Sequence, residues 1–314
     1  PDVRLHRRFQ FIIIIVTEVS HMSILLGILE EGLIYAILAL GVYITYSILD
    51  FPDLSVDSTF PLGSAVTAAM LVAGLPAPAA LCVSFLGGVL AGTVTGLIHV
   101  KLKVVDLLSG IIVMTGLYSI NLQIAGGANL AFFGSSTIFD NSLTAPLWAS
   151  PAGDFTVVII SLIAVILVKL LLDAYLKTRS GYLLRAAGDN DTLVTSLAKD
   201  KGTVKIIGLA LANGLVALSG SIYCQKQGFF EISTGTGSMV IGLASVIIGT
   251  KLFRRASFMK TTTAVIIGSV LYKACIAAAM ALGIFPTSYM KFLTAALFLI
   301  ILVLSNQTRR KVAV

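Results

Sequence analysis

The sequence predicts an all-α polytopic membrane protein of about 8–9 transmembrane helices, and three observations carry that expectation. Its 314 residues are 57% hydrophobic and only 12% charged, with a mean hydropathy of +0.98. Apolar runs recur that reach or approach the roughly 20 residues needed to cross a bilayer. The connecting segments hold most of the lysines and arginines, as expected of a chain oriented by its loop charges. Length alone, at roughly 150 residues per domain, would suggest two soluble domains. Composition overrides it and leaves one transmembrane domain over 22–304, an N-terminal extension over 1–21 and a basic cytoplasmic tail over 305–314.

Nine apolar segments follow in order: 24–47, 60–75, 76–99, 104–122, 154–175, 205–224, 239–250, 261–282 and 291–304. Before them, FIIIIV (11–16) is too short to span and is followed by Glu18 and His21. No small-residue cleavage site follows it, so it does not read as a signal peptide. With Met22 a natural start, 1–21 is kept outside the fold as an upstream extension. Nine crossings place Lys101 and Lys103, the 177–205 segment, the Lys251–Lys260 cluster and Arg309-Arg310-Lys311 on one side, which the positive-inside rule makes the cytoplasm. The loops at 123–153, 225–238 and 283–290 fall outside, with Lys226 their one basic residue. The formal charge of +7 is therefore a topology signal and not a nucleic-acid surface.

Within the spans, GGVLAGTVTG (87–96) and LANGLVALSGS (211–221) are dense in small residues that let helices approach closely in lipid. Cys82, Cys224 and Cys275 are isolated and read as small apolar packing residues. Two segments differ from the rest. DFPDLSVDSTFPLGSA (50–65) and EISTGTGSMVIG (231–242) each lead into a short apolar run. Irregular backbone at membrane depth is tolerated only inside protein or beside a wet cavity, and paired interruptions point to a transport pathway. The second span would run outward and the seventh inward, giving two weak inverted-repeat halves. The competing reading makes 50–65 a solvated cytoplasmic loop.

The longest polar interruption is KTRSGYLLRAAGDNDTLVTSLAKDKGTVK (177–205), with six basic and three acidic residues. Asp189, Asn190 or Asp191 can cap a helix whose apolar residues Leu193, Val194 and Leu197 recur at helical spacing. Such a short amphipathic helix is marginal alone and must dock. Lipid headgroups and a groove of another protein remain equally open on this ground.

Enzymatic motifs are missing: no His-Glu-x-x-His, no Gly-x-Ser-x-Gly and no Gly-Lys-Ser/Thr phosphate loop occur. Inside the spans, Glu30 and Glu31 sit near the outer end of the first and Lys273 midway along the eighth. The glutamates read as interfacial. Lys273 reads as snorkelling or paired, with no partner that the sequence names.

The segment GYLLRAAGDNDTLVTSLAKDKGTVKIIGLALANGLVALSGSIYCQKQGFFEI resembles the central region of ABC-importer permeases of the branched-chain amino acid and ribose permease type. EEGLIYAILALGVYITYSIL, DFPDLSVDSTFPLGSA, GLYSINLQIAGGANL and GLASVIIGTKLF are similar to one branch of it, the amino-acid, often tryptophan or tyrosine, transport components. The resemblance covers 22–304 and implies a type II ABC importer permease fold. It also implies a dimer of identical permeases, two cytoplasmic ATP-binding subunits and an extracytoplasmic solute-binding protein or lipoprotein, in a bacterial cell membrane. ATP and Mg would be bound by the partner ATPase and no cofactor by this chain. Carried over by motif, Arg185, Ala187, Gly188, Asp189, Asn190 and Asp191 fall on the coupling loop, with Leu193 and Leu197 on the apolar face of a coupling helix over 187–200. The pathway lining would include Ser55, Asp57, Ser58, Thr59, Ser233, Thr234 and Thr236. GLYSINLQIAGGANL and the loop after it would face the binding protein. The implied solute is an amino acid, with nucleoside and sugar as alternatives. An ion-driven transporter working without an ATPase is the competing function.

Overall fold

The computed structural model of the chain describes residues 3–142, 144–150, 153–189, 201–253, 259–281 and 289–310. Helix α1 (Val3–Val42) passes into a π-helical turn at Tyr43–Ile48 and is followed by α2 (Val56–Val72), α3 (Ala77–Lys101) and α4 (Asp106–Ala125). Strand β1 (Asn129–Ala131) and the single-turn α5 (Ala145–Trp148) precede α6 (Thr156–Tyr175), α7 (Arg179–Asp189) and α8 (Lys201–Gln227). Strand β2 (Phe229–Glu231), a 3-10 turn at Ile232–Gly235, α9 (Ser238–Leu252), α10 (Thr261–Ala281) and α11 (Met290–Arg310) complete the order. Helix α1 is continuous through 3–21, the stretch that the sequence reading leaves outside the fold.

Among the described residues, seven helical stretches are long and apolar enough to cross a membrane: Met22–Ile48, Ala77–Lys101, Asp106–Ala125, Gly153–Tyr175, Lys201–Gln227, Ile232–Leu252 and Thr261–Ala281. The shorter apolar helices Val56–Val72 and Lys291–Val303 match the two remaining predicted segments. The chain is an all-α polytopic membrane protein. At 17 residues, α2 is only about 25 Å long. It can be short because protein, not lipid, surrounds it: Phe60, Leu62, Ala65, Ala68 and Leu71 are all buried.

The bundle has two distinct poles. At one, the Ile48 carbonyl meets Gly188, Phe51 packs on His99, His99 faces Lys205 and Lys260 reaches Asp173. Lys205 and Lys260, two of the loop cations predicted to share one side, lie at that pole. At the other, β1 pairs antiparallel with β2 in the register Asn129↔Glu231, Leu130↔Phe230 and Ala131↔Phe229. This ribbon ties together the two loops expected outside.

Helices α3 and α8 form the most extensive packing, and composition explains it. Leu86, Leu90, Val94 and Leu97 of α3 are exposed and face lipid. On the opposite side Gly88 and Gly92 lie against the Asn213 and Leu209 carbonyls of α8, leaving no room for a Cβ. Lipid supplies no hydrophobic force between helices, so close backbone approach and side-chain hydrogen bonds must hold them. Ser84 donates to the Gly63 carbonyl at 3.0 Å, Ser64 to Gly220 at 2.8 Å, Ser219 to Ile34 at 2.8 Å and Ser269 to Gly32 at 2.8 Å. Helix α6 takes the opposite course, exposing Leu162, Ile163, Ile166, Leu167, Leu170 and Leu171 to the bilayer.

Replacing Gly92 by leucine is expected to lower stability by ~1–3 kcal/mol through overpacking. Gly116→Leu, where nothing lies within 4 Å of the added Cβ, is expected to be neutral. Thermal unfolding of both variants in nanodiscs checks the contrast.

Candidate functional site

The two interruptions singled out in the sequence meet inside the protein. After the π-helical turn the backbone reverses at Asp50, with φ of 50°, and runs irregularly to Ser55 before α2 begins. The segment is not a solvated loop: Phe51, Asp53 and Ser55 are fully or almost fully buried. An unpaired carboxylate there would be costly, and Asp53 is paired on both oxygens. Its Oδ1 accepts the Ser55 backbone N–H at 2.9 Å and its Oδ2 accepts the Asn213 amide at 2.7 Å. The Ser55 hydroxyl donates to Asn213 Oδ1 at 3.2 Å, which fixes the orientation of that amide. Asn213, read in the sequence only as part of a small-residue packing stretch, thus anchors the break to the middle of α8.

Asp57, in the first turn of α2, reaches the second interruption. Its Oδ2 accepts the backbone N–H of Gly237 at 3.0 Å and its Oδ1 that of Met239 at 2.8 Å. These are free donors at the start of α9, and a carboxylate there also complements the positive end of the helix dipole. Gly235 closes the contact, lying on the Asp57 carbonyl and the Pro61 ring. Helices α2 and α9 therefore face one another N-terminus to N-terminus, the arrangement expected where inverted halves meet.

The predicted lining residues divide. Ser55, Ser58 and Thr59 are buried within the protomer. Thr59 donates to the Ser55 carbonyl at 2.9 Å, while Ser58 offers its carbonyl to Asn121 at 2.9 Å. On the other side, Ser233 donates to the Glu231 carboxylate and Thr234 to the Glu231 carbonyl at 2.7 Å. Thr236 is exposed. Asp57 is the residue that joins the two groups.

In the polar insert the described helix is α7, Arg179–Asp189, while the helix predicted over 187–200 lies outside the described residues from 190 onward. The cap of α7 is Thr178, whose hydroxyl accepts the Gly181 N–H at 3.3 Å. Asp189, a possible N-cap of the predicted helix, is the last residue of α7. Asn190, Asp191, Leu193 and Leu197 lie outside the described residues. Gly181, Leu184 and Ala187 are buried, whereas Tyr182 and Arg185 are exposed. Leu184 packs into Leu49 and Gly208, and Gly188 rests on the Ile48 carbonyl with no space for a Cβ. Beside α7, a cleft of about 350 Å³ includes Tyr43, Asp173, Tyr182, Arg185 and Lys260 in its lining. Asp173 accepts from Lys260 at 2.9 Å, Thr262 at 2.7 Å and Lys169 at 3.1 Å.

The partner of Lys273, open in the sequence, is Glu31, at 2.9 Å across 242 residues of chain. The ammonium also lies 3.8 Å from the centroid of the Tyr35 ring. Glu30 pairs with Lys226 at 2.9 Å. The glutamates read as interfacial are thus ion-pair partners that tie α1 to α10 and α8.

Comparison with known proteins fits this geometry. Residues 24–302 match the family described as branched-chain amino acid transport system / permease component. The chain belongs to this family. It is 42% identical over 285 residues to a tyrosine transport system permease protein of Clostridioides difficile, covering 91% of this chain and 92% of that one. It is 32% identical over 282 residues to the uncharacterized protein RP368 of Rickettsia prowazekii, covering 88% and 96% respectively. With the autoinducer 2 import system permease protein LsrC of Salmonella typhimurium it shares 29% identity over 200 residues, 63% of this chain and 54% of that one. No solved structure matches the chain significantly. The chain is accordingly a multi-pass membrane permease component of a transport system.

Asn213→Leu is expected to cost about 3 kcal/mol by stranding the buried Asp53 carboxylate. Asp53→Asn in the same background is expected to recover part of the loss, as read from the unfolding temperatures of the single and double variants.

Proposed function

We propose that this permease works in an ATP-driven importer, as a dimer whose interface forms the solute path, with an amino acid as its solute. Two cytoplasmic ATP-binding subunits supply the ATP and Mg chemistry, and a solute-binding protein or lipoprotein delivers solute to the outer face. The membrane is the cell membrane of a bacterium.

The observation that carries this reading is α7. One face is locked onto the end of α1 and the start of α8 through Leu184, Ala187 and Gly188. The other presents Tyr182 and Arg185 at the pole where the loop cations gather. A force applied to this helix reaches Ile48 and Leu49, hence the break that Asp53 and Asn213 hold, without an intervening flexible joint. The helix therefore acts as a lever, with the 190–200 stretch continuing the coupling loop. Amino-acid transport is supported by the similarity to the tyrosine transport permease, over nearly the full length of both chains.

Co-purification and coupled activity test the proposal. Arg185→Glu reverses an exposed charge and leaves the packed face intact. It is expected to lower transport-linked uptake by about tenfold or more while the permease retains its fold. A coupling interface that loses one charge-assisted contact sacrifices ~1.5–3 kcal/mol. Unchanged uptake and unchanged retention of the ATP-binding subunit would remove α7 from the coupling role. Uptake by the purified permease with no ATPase present would establish the ion-driven alternative.

A further inference from the structure

On the β-ribbon pole, next to the first turns of α6 and the end of α8, lies a cleft of about 270 Å³ in the loop expected to face the binding protein. Its walls are aromatic. Phe133 is 78% exposed and Trp148 45%, an unusual display of ring surface on a loop that faces water. Trp148 is held in place by its indole N–H, which donates to the Phe139 carbonyl at 2.7 Å.

The polar wall is chemically mixed. Asp140 contributes a carboxylate with no partner among the described residues. Lys226 contributes an ammonium whose pairing with Glu30 uses one of three donors. Between them in character stands Gln225, only 3% exposed. Its Oε1 accepts the Ile138 N–H at 2.9 Å, and that bond fixes which end of the amide is which. The Nε2 donor is then buried with no partner among the described residues. Buried donors are rarely left unmet, so the cleft asks for an acceptor at this point.

A small zwitterion with an aromatic side chain meets every one of these demands. Its carboxylate supplies the acceptor for Gln225 and a counter-charge for Lys226, its ammonium answers Asp140, and its ring lies against Phe133 and Trp148. At about 270 Å³ the cleft lies just under the roughly 300 Å³ at which small-molecule sites begin, a size that suits a single amino acid.

We infer that this cleft is an outer loading site for a free aromatic α-amino acid. The inference rests on the amino-acid importer reading and adds to it a contact between solute and permease before the membrane path. Trp148 is the chain's single tryptophan, so its emission reports the site directly.

The test uses the full-length permease in nanodiscs, excited at the red edge where tyrosine does not absorb and titrated with L-phenylalanine. A saturable change in Trp148 emission is expected. Phenethylamine and phenylacetate, each lacking one charge, are expected to bind at least about tenfold more weakly, as loss of a charge-assisted hydrogen bond implies. Gln225→Glu keeps the acceptor for Ile138 and removes the donor, with a loss of similar size expected. Phe133→Ala, at an exposed position, is expected to weaken binding without disturbing the fold. Absence of a saturable response overturns the site, as does a response that Gln225→Glu and Asp140→Asn leave unaltered, because water then meets the donor. A response to the solute-binding protein alone overturns it in favour of a docking groove. Uptake by the assembled importer separates the two levels. Uptake with a silent Trp148 ends the loading site alone, whereas no ATP-dependent uptake ends the importer reading whatever the fluorescence does.

Discussion

The structure depends on how Asp57 closes the gap between two interrupted helices. Lipid offers no partner to a free backbone N–H, so a helix that begins inside the membrane needs its acceptors supplied by protein. The Asp57 carboxylate supplies them to Gly237 and Met239. It places one negative charge where the positive ends of α2 and α9 converge. Asp53, Ser55 and Asn213 perform the same service for the break before α2. With both interruptions satisfied internally, α2 can be short and largely enclosed, and the longer helices pack around it.

Closeness then follows from side-chain size. Gly63 lies on the Ala217 carbonyl and Gly220 on the Phe60 carbonyl, each with no space for a Cβ. This brings α2 onto α8 and aligns the serine and threonine hydroxyls that bridge them. Thr67 is shared between Ser84 at 3.0 Å and Ser221 at 2.5 Å. These contacts hold the buried carboxylates of Asp53 and Asp57 in fixed geometry.

Much of this was legible in the sequence where the physics is local. Apart from the start of α1 and the end of α11, the apolar segments match the observed helical stretches within a few residues because hydropathy decides membrane depth. The polarity of the 50–65 and 231–242 stretches marks them as special for the same reason. Tertiary partnership was not legible. Glu31 and Lys273 are 242 residues apart, and nothing in either neighbourhood names the other. Asn213 sits in a run of small residues that packing alone explains. Helix α7 was not singled out in the sequence: KTRSGYLLRAA carries its signals, with Thr178 as cap and Gly181, Leu184 and Ala187 on the buried face, but the surface on Ile48 and Gly208 that holds it is tertiary.

In the proposed mechanism this permease moves solute only when an ATPase works its cytoplasmic helix. The most direct measurement is amino-acid uptake into proteoliposomes that hold the permease with its ATP-binding subunit and solute-binding protein. ATP and Mg are enclosed on the ATPase side or withheld. Uptake against a gradient is expected only with ATP present and only with the ATP-binding subunit assembled. Accumulation driven by an ion gradient in liposomes containing the permease alone would contradict it.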